Sequence, residues 1–261
     1  MSGAEAMHVL VARLRNAGCV FAEDEAALLT EAVDDPDARE ALVRRRTAGE
    51  PLEQVLGWAA FDGMRLVVSP GVFVPRSRTV ALARRASALV PRGRAAVALD
   101  LCCGVGAVAA VLARDHPGLE LVVADVDPGA ATCARANLPA EALVVVGDLF
   151  AVVPPRLRGL VDVITANAPY VPTSALATMP SEARLHERTT ALDGGLDGLD
   201  VHRRIAEEAR VWLRPGGSLL IETSAAQAPA AVALLTAGGL VARREHDDES
   251  DATVVIGVRR G

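Results

Sequence analysis

The residues in this chain best suited to chemistry are Asn167-Ala168-Pro169-Tyr170. An asparagine side-chain oxygen and the main-chain carbonyl that follows it can each accept one N–H of an NH2 group. Together they turn the nitrogen lone pair toward an electrophile and favour the positive charge that develops on nitrogen as it is alkylated. Pro169 restricts Ala168 to extended backbone angles, which aims that carbonyl. Tyr170 can wall a planar acceptor group. The same tetrapeptide can also simply close a strand, so its weight depends on its surroundings.

Those surroundings include Asp100-Leu101-Cys102-Cys103-Gly104-Val105-Gly106, at a strand-to-helix junction. Glycines there let the backbone approach a ligand, and the helix N-terminus favours an anionic group. Nineteen residues past Gly106 stands Asp125, at the end of the next strand. A carboxylate so placed can accept both hydroxyls of a ribose. Asp148, with Leu149 beside it, follows the third strand, where an adenine edge would bind; capping a turn is its other use. NAD and S-adenosylmethionine (AdoMet) both fit this group. The asparagine tetrad after the fourth strand favours AdoMet and methylation of nitrogen.

The elements that must hold these residues follow from periodicity. Residues 4–57 read as helices, with Val9, Leu10, Val11 and Leu14, then Ala26, Leu28, Leu29 and Val33, near helical spacing. Asp34-Asp35-Pro36-Asp37 breaks the pattern and can cap a helix over 38–48. Residues 58–68 read as a β-hairpin around Asp62-Gly63. Pro70, Gly71 and Pro75 mark a linker. Strands follow at 97–101, 119–125, 143–146 and 161–166, with helices at 106–114 and 128–137 between them. After a long polar loop come a helix at 200–213, a strand at 217–222, a helix at 227–237, and strands at 241–245 and 253–258. Strict alternation calls for a doubly wound, mostly parallel α/β sheet. Two strands in succession at the end make the last one antiparallel.

Composition excludes some functions. The 261 residues are 51% hydrophobic and only 3% aromatic, so the core must rest on small aliphatic side chains. The net charge is −6, and all the positive charge is arginine. That balance argues against a nucleic-acid partner. Arg44-Arg45-Arg46 reads as a solvated helix face. Residues 1–20 carry scattered charges and show neither a signal peptide nor a membrane span, which points to the cytoplasm. Cys19, Cys102, Cys103 and Cys133 lack zinc or disulfide spacing, so reduced thiols and no metal are expected.

Over nearly its whole length the chain resembles the protein-(glutamine-N5) methyltransferases of the HemK/PrmC type. The resemblance is carried by Glu50-Pro51-Leu52…Leu56-Gly57, Val74-Pro75-Arg76, Leu99-Asp100-Leu101, Ala124-Asp125 and Asp148-Leu149-Phe150. Asn167-Ala168-Pro169-Tyr170 and the segment from Ala191 to Leu199, Ala-Leu-Asp-Gly-Gly-Leu-Asp-Gly-Leu, complete it. It implies a Rossmann-like, seven-stranded class I methyltransferase domain over 76–261. A hairpin and linker at 58–75 would join this to a helical substrate-recognition domain at 1–57. AdoMet would lie along Cys102, Cys103, Gly104, Val105 and Gly106, with Asp125 on the ribose, Asp148 and Leu149 at the adenine, and Asn167 touching both cofactor and substrate. The implied acceptor is a protein glutamine, in relatives that of a Gly-Gly-Gln motif in peptide chain release factors. Three positions depart from the family pattern. Ala168 replaces the first proline of Asn-Pro-Pro-Tyr, Cys102 replaces a loop glycine, and Pro75-Arg76-Ser77-Arg78-Thr79 replaces Pro-Arg-Pro-Glu-Thr, which reverses a charge at Arg78. Three other readings stay open: a DNA adenine methyltransferase, a small-molecule N-methyltransferase, and an AdoMet-binding module without catalysis.

Overall fold

The computed structural model describes residues 3–261. It begins with four helices, α1 (Gly3–Asn16), α2 (Ala22–Ala32), α3 (Pro36–Thr47) and α4 (Leu52–Leu56). The Asp35 side chain caps α3 by accepting from Ala38 N at 2.7 Å, with Pro36 in the first turn. Leu14, Ala22, Ala26, Leu29, Val43 and Val55 close a small core of their own. The arginine run is not one solvated face. Arg44 is exposed, but Arg46 is only 6% exposed at its side chain and ion-pairs with Glu25 at 2.6 Å. Residues two apart on a helix diverge by about 200°, so adjacent charges need not share an environment.

The hairpin β1 (Trp58–Phe61) and β2 (Met64–Val67) turns on Asp62 and Gly63, both at positive φ. That turn has the twist a two-residue hairpin needs. Arg84 and Arg114 both grip the Asp62 carboxylate at 2.7 Å. The Asn137 amide exchanges two hydrogen bonds with Val67 of β2. The hairpin is thus tied to the larger part of the molecule.

That part carries β3 (Val97–Leu101), β4 (Glu120–Asp125), β5 (Leu143–Val146), β6 (Val161–Ala166), β7 (Leu213–Thr223), β8 (Val241–Asp247) and β9 (Ala252–Val258). They form one sheet in the order β5-β4-β3-β6-β7-β9-β8, in which β9 pairs antiparallel with both neighbours and the pairs from β5 to β7 are parallel. The final antiparallel strand therefore stands as read. Helices α5 (Thr79–Leu89), α6 (Ala107–Asp115) and α7 (Pro128–Asn137) cover one face, packing Leu82, Ala86, Val108 and Ala134 against Ala98, Val163 and Leu220. On the other face α9 (Asp200–Trp212) and α10 (Ala228–Ala237) pack Ile205, Trp212 and Leu235 against Leu99, Ile164 and Leu219. Phe150 stacks on Trp212 at 5.6 Å between centroids.

Three elements differ from the sequence reading, the first being helix α8 (Ser181–His186) within the stretch read as a long polar loop. Helix α5 (Thr79–Leu89) occupies a stretch after the linker to which the sequence reading assigned no element, because alanines and arginines give weak hydrophobic contrast. Strand β7 begins at Leu213 rather than Gly217, with a register shift against β6 between Val161 and Val163. No helix among the described residues is long and apolar enough to cross a membrane.

Candidate active site

Strand order reverses at β3, whose neighbours are β4 on one side and β6 on the other. In such sheets the ligand crevice lies outside the carboxyl ends of the strands at that point. A cavity of about 440 Å³ opens there. Among the residues singled out from sequence, Cys102, Gly104, Asp125, Asp148, Leu149, Asn167, Ala168, Pro169 and Tyr170 line it. Cys103, Val105 and Gly106 do not. The side chains of Cys103 and Val105 are buried in the core, 8% and 2% exposed. Gly106, at φ +79°, serves helix packing, since a Cβ there would sit 3.3 Å from that of Ala134.

Each side chain is fixed by local structure. Asp125 ends β4, and its two oxygens accept from Gly104 N and Asp127 N, both at 2.8 Å. Burial raises its pKa above the usual carboxylate value, and these two N–H groups work against that rise. Each oxygen keeps a lone pair for a hydroxyl donor. Cys102 stands at φ +53°, in the left-handed region that a glycine would enter without cost. Burial, with Asp125 adding, pushes its thiol pKa up, so the sulfur stays protonated. Asp148 is half-exposed and held by Arg204 at 2.6 Å, while Leu149 is buried beside it.

The tetrad follows β6. The Asn167 amide Nδ2 donates to Thr79 Oγ1 at 3.2 Å, which leaves its oxygen as an acceptor for a ligand. Ala168 is buried. Behind the tetrad runs the glycine-rich segment noted in the sequence. Gly194 N donates to Val171 O at 2.9 Å, and Val171 N to Leu192 O at 3.0 Å. A Cβ on Gly194 would lie 2.7 Å from Pro169 O, and one on Gly198 2.3 Å from Tyr170 O. The Gln227 amide donates to Tyr170 O and Asp197 O at 2.9 and 3.0 Å. The glycines let two backbones touch, and that contact sets the path of the tetrad.

Arg78 was noted in the sequence only as a reversed charge, and Glu222 and Glu187 were not singled out there at all. Arg78 lines the cavity, donates to the Tyr170 hydroxyl at 2.6 Å and pairs with Glu222 at 3.3 Å. It is also the residue from which α5 starts. Burial, reinforced by Glu222 and opposed by Arg78, pushes the Tyr170 phenol up to about 12. Glu222 is 1% exposed, and burial raises its pKa. An acid at the carboxyl end of a central strand was the available signal for it. Farther out, Arg76 lies over the Phe73 ring and binds both oxygens of buried Glu187 at 2.7 Å.

The strand order lays these groups out in sequence across the crevice: Asp148 and Leu149 after β5, Asp125 on β4, the cysteine–glycine loop after β3, and the tetrad after β6. A nucleoside and a planar NH2 group can therefore lie side by side. A family model, Methyltransferase small domain, matches residues 63–195. The chain is 35% identical over 223 residues to a release factor glutamine methyltransferase of Geobacter sulfurreducens, across 84% of this chain and 77% of that protein. This chain belongs to the release factor glutamine methyltransferase family.

Membership makes the protein an AdoMet-dependent methyltransferase. The chain is also 38% identical over 203 residues to a 4-amino-L-phenylalanine/4-methylamino-L-phenylalanine methyltransferase of Streptomyces pristinaespiralis, across 76% of this chain and 69% of that one. Its fold is shared with a 16S rRNA methyltransferase of T. thermophilus solved with AdoMet and guanosine. There the TM-score is 0.54 at 22% identity, covering 78% of this chain and 50% of that chain. This chain's own tetrad, Asn167-Ala168-Pro169-Tyr170, directly follows β6.

Proposed function

We propose that the protein transfers the methyl group of AdoMet to the side-chain amide nitrogen of a glutamine in a protein, a peptide chain release factor being the best-supported acceptor. The observation that carries this is the Asn167 amide, held by Thr79 so that its oxygen is left for an acceptor in the cavity that Asp125 also lines. AdoMet supplies an electrophilic methyl group on a sulfonium. Asp125 accepts the ribose hydroxyls, and Asp148 and Leu149 border the adenine. The loop from Cys102 to Gly106 brings backbone N–H groups to the methionine end, where only Cys102 and Gly104 face the cavity. Asn167 Oδ1 and the Ala168 carbonyl each accept one N–H of the glutamine amide. That directs the nitrogen lone pair at the methyl group and stabilises the charge it gains. Pro169 holds the carbonyl's direction, and Tyr170 walls the planar amide. Once methylated, the nitrogen gives up a proton to solvent.

On this reading residues 1–57 recognise the acceptor protein, 58–75 join them to the catalytic part, and 76–261 bind AdoMet and carry out transfer. A net charge of −6 speaks for a basic protein partner over DNA. A free amino-aryl acid is a second reading, favoured by the Streptomyces relative and by Arg76 and Arg78 at the cavity, where a carboxylate could dock.

Methyl transfer from labelled AdoMet to a release factor, its Gln→Ala variant, 4-amino-L-phenylalanine and duplex DNA separates these readings. Label in the release factor alone, lost in its Gln→Ala variant, is the expected result; label in the amino acid or DNA instead overturns it. Asn167→Ala should lower turnover on the true acceptor by on the order of 10²–10³, the cost of one oriented transition-state partner.

A further inference from the structure

The acid at the adenine end of the crevice has a partner to which the sequence reading gave no role. Asp148 follows β5, and its backbone is pinned on both sides. Gly147 N donates to Asp125 O at 2.8 Å, and Ala151 N donates to Asp148 O at 3.0 Å. Leu149 is buried at φ +46°, a left-handed backbone that is costly for any residue with a side chain. What stays free is rotation of the Asp148 side chain. An aspartate at the head of such a turn commonly caps it, but this carboxylate makes no capping bond. Its Oδ2 instead accepts from Arg204 Nη2 at 2.6 Å.

Arg204 belongs to α9, and Val201, three residues earlier, lies on the same face of that helix. Both border the cavity, as do Gly147, Asp148 and Leu149. Helix α9 is thus a wall of the crevice beside the acid. The side chains of the pair are 50% exposed for Arg204 and 57% for Asp148, so the bond between them adds little to the stability of the fold. Its effect is directional. With Oδ2 taken by the guanidinium, the carboxylate keeps Oδ1, for which the described residues supply no donor. Adenine carries an exocyclic amino group that donates to such an oxygen. An inosine base carries an oxygen in its place, which would meet a carboxylate with no hydrogen between them.

We propose that Arg204 is a positioning residue that sets base selectivity for the cofactor. It holds Asp148 through Oδ2, so that Oδ1 accepts the amino group of the adenine and turns away a base without one. This rests on the placing of the adenine at Asp148 above, and it does not depend on which acceptor is methylated. It also gives α9 a part in cofactor recognition besides its packing against the sheet.

The test uses the full-length protein as Arg204→Met, Arg204→Lys and Asp148→Ala variants. Calorimetry measures the affinity of each for S-adenosylhomocysteine and for S-inosylhomocysteine, in which an oxygen replaces the adenine amino group. The wild type should prefer the adenosyl ligand by on the order of tenfold or more. Arg204→Met leaves the carboxylate free to rotate, and should cut that preference about three- to tenfold, chiefly by weakening the adenosyl ligand. Its thermal unfolding without ligand should match the wild type, as expected for a pair so exposed. Arg204→Lys keeps a donor for Oδ2 and should return part of the preference. Asp148→Ala should abolish it. The idea is overturned if Arg204→Met keeps the wild-type preference. It is equally overturned if that variant weakens both ligands alike, as a wall that merely packs would, or if Arg204→Lys prefers adenosyl no better than Arg204→Met. A wild-type preference in Asp148→Ala overturns the adenine placing and the inference with it. A lost preference there, beside an unchanged Arg204→Met, overturns the inference alone. Failure of the wild type to methylate any release factor would overturn the proposed function instead, and the ligand preference would still be measured.

Discussion

On the proposed reading Asp125 accepts the ribose hydroxyls of AdoMet, and two backbone N–H groups already orient its carboxylate. Asp125→Ala removes a charged acceptor whose hydrogen bonds are worth roughly 1.5–3 kcal/mol. AdoMet affinity should fall about tenfold or more, and calorimetry on the folded variant giving wild-type affinity would contradict the assignment. Asp100 shows a different use of an acid at the same edge. Its Oδ1 accepts from Thr165 Oγ1 at 2.7 Å, while Oδ2 is buried without a partner. Burial, with Asp125 adding, pushes its pKa up to about 7 against the hydrogen bond from Thr165. The folded state therefore keeps a proton that the unfolded chain gives up near pH 4. Stability from this group is complete below that value and is lost as pH rises from about 4 through 7, by up to roughly 4 kcal/mol. Asp100→Asn cannot ionise. In urea unfolding without AdoMet, it should lose less stability than wild type between pH 5 and pH 8. Equal losses in the two proteins would show that Asp100 is ionised throughout.

At the scale of elements, the glycine segment does what no side chain could. It lays its backbone against the tetrad, and the two strips hold each other through Gly194, Val171 and Gln227. Gly198 stands at φ +76°, with Tyr170 O and Gln227 Nε2 each 2.3 Å from where a Cβ would be. Gly198→Ala should cost roughly 1–3 kcal/mol through the left-handed backbone and the displaced contacts. Turnover should drop more than AdoMet affinity, because the tetrad moves while β4 and β5 stay. Gly216→Ala is the control: it has a similar φ of +81° but open space around it. Thermal unfolding and turnover equal in the two variants would rule out the backbone contact as the cause. The same reasoning explains why α5 matters. The helix itself packs through Leu82, Ala83 and Ala86, but its first residues bring Arg78 and Thr79 to the tetrad.

For the whole molecule, the question is how the N-terminal helices are joined to the site. Arg46 is the central link. It binds Glu25 on α2 and, at 2.6 Å, Glu182 of α8 (Ser181–His186), which lies in the loop that contributes Met179, Thr190, Ala191 and Leu192 to the cavity. Gln54 adds a second tie, donating to Val72 O and His186 O at 2.9 and 3.2 Å. Arg46→Met would strand the buried Glu25 carboxylate and should cost about 3–5 kcal/mol in urea unfolding. Pairing it with Glu25→Gln should recover part of that loss. The KM for the protein acceptor should rise while AdoMet affinity holds. A loss below about 1 kcal/mol would mean that the pair is solvated and screened like a surface pair.

The sequence by itself determined the local elements and the chemical vocabulary. Strands 97–101, 143–146 and 161–166 form within the bounds read from sequence. Inside the sheet β3 and β6 are almost wholly buried and largely aliphatic, while β5 at the edge is only partly buried. The tetrad and the acids at strand ends were legible because one strand and its turn carry each of them whole. Tertiary structure decided what faces what. Thr79 meets Asn167 across 88 positions of chain, and Arg46 meets Glu182 across 136. No local period encodes such pairs; they exist only because the fold packs helices α3 and α8, and α5 and the turn after β6, against each other. The same holds for Arg46, one charge in a run of three, whose burial was set by the partner waiting on α2. Cys103, Val105 and Gly106 illustrate the converse. They belong to the loop that meets the ligand, but the turn of that loop sends their side chains, or the space where one would be, into the packing behind it.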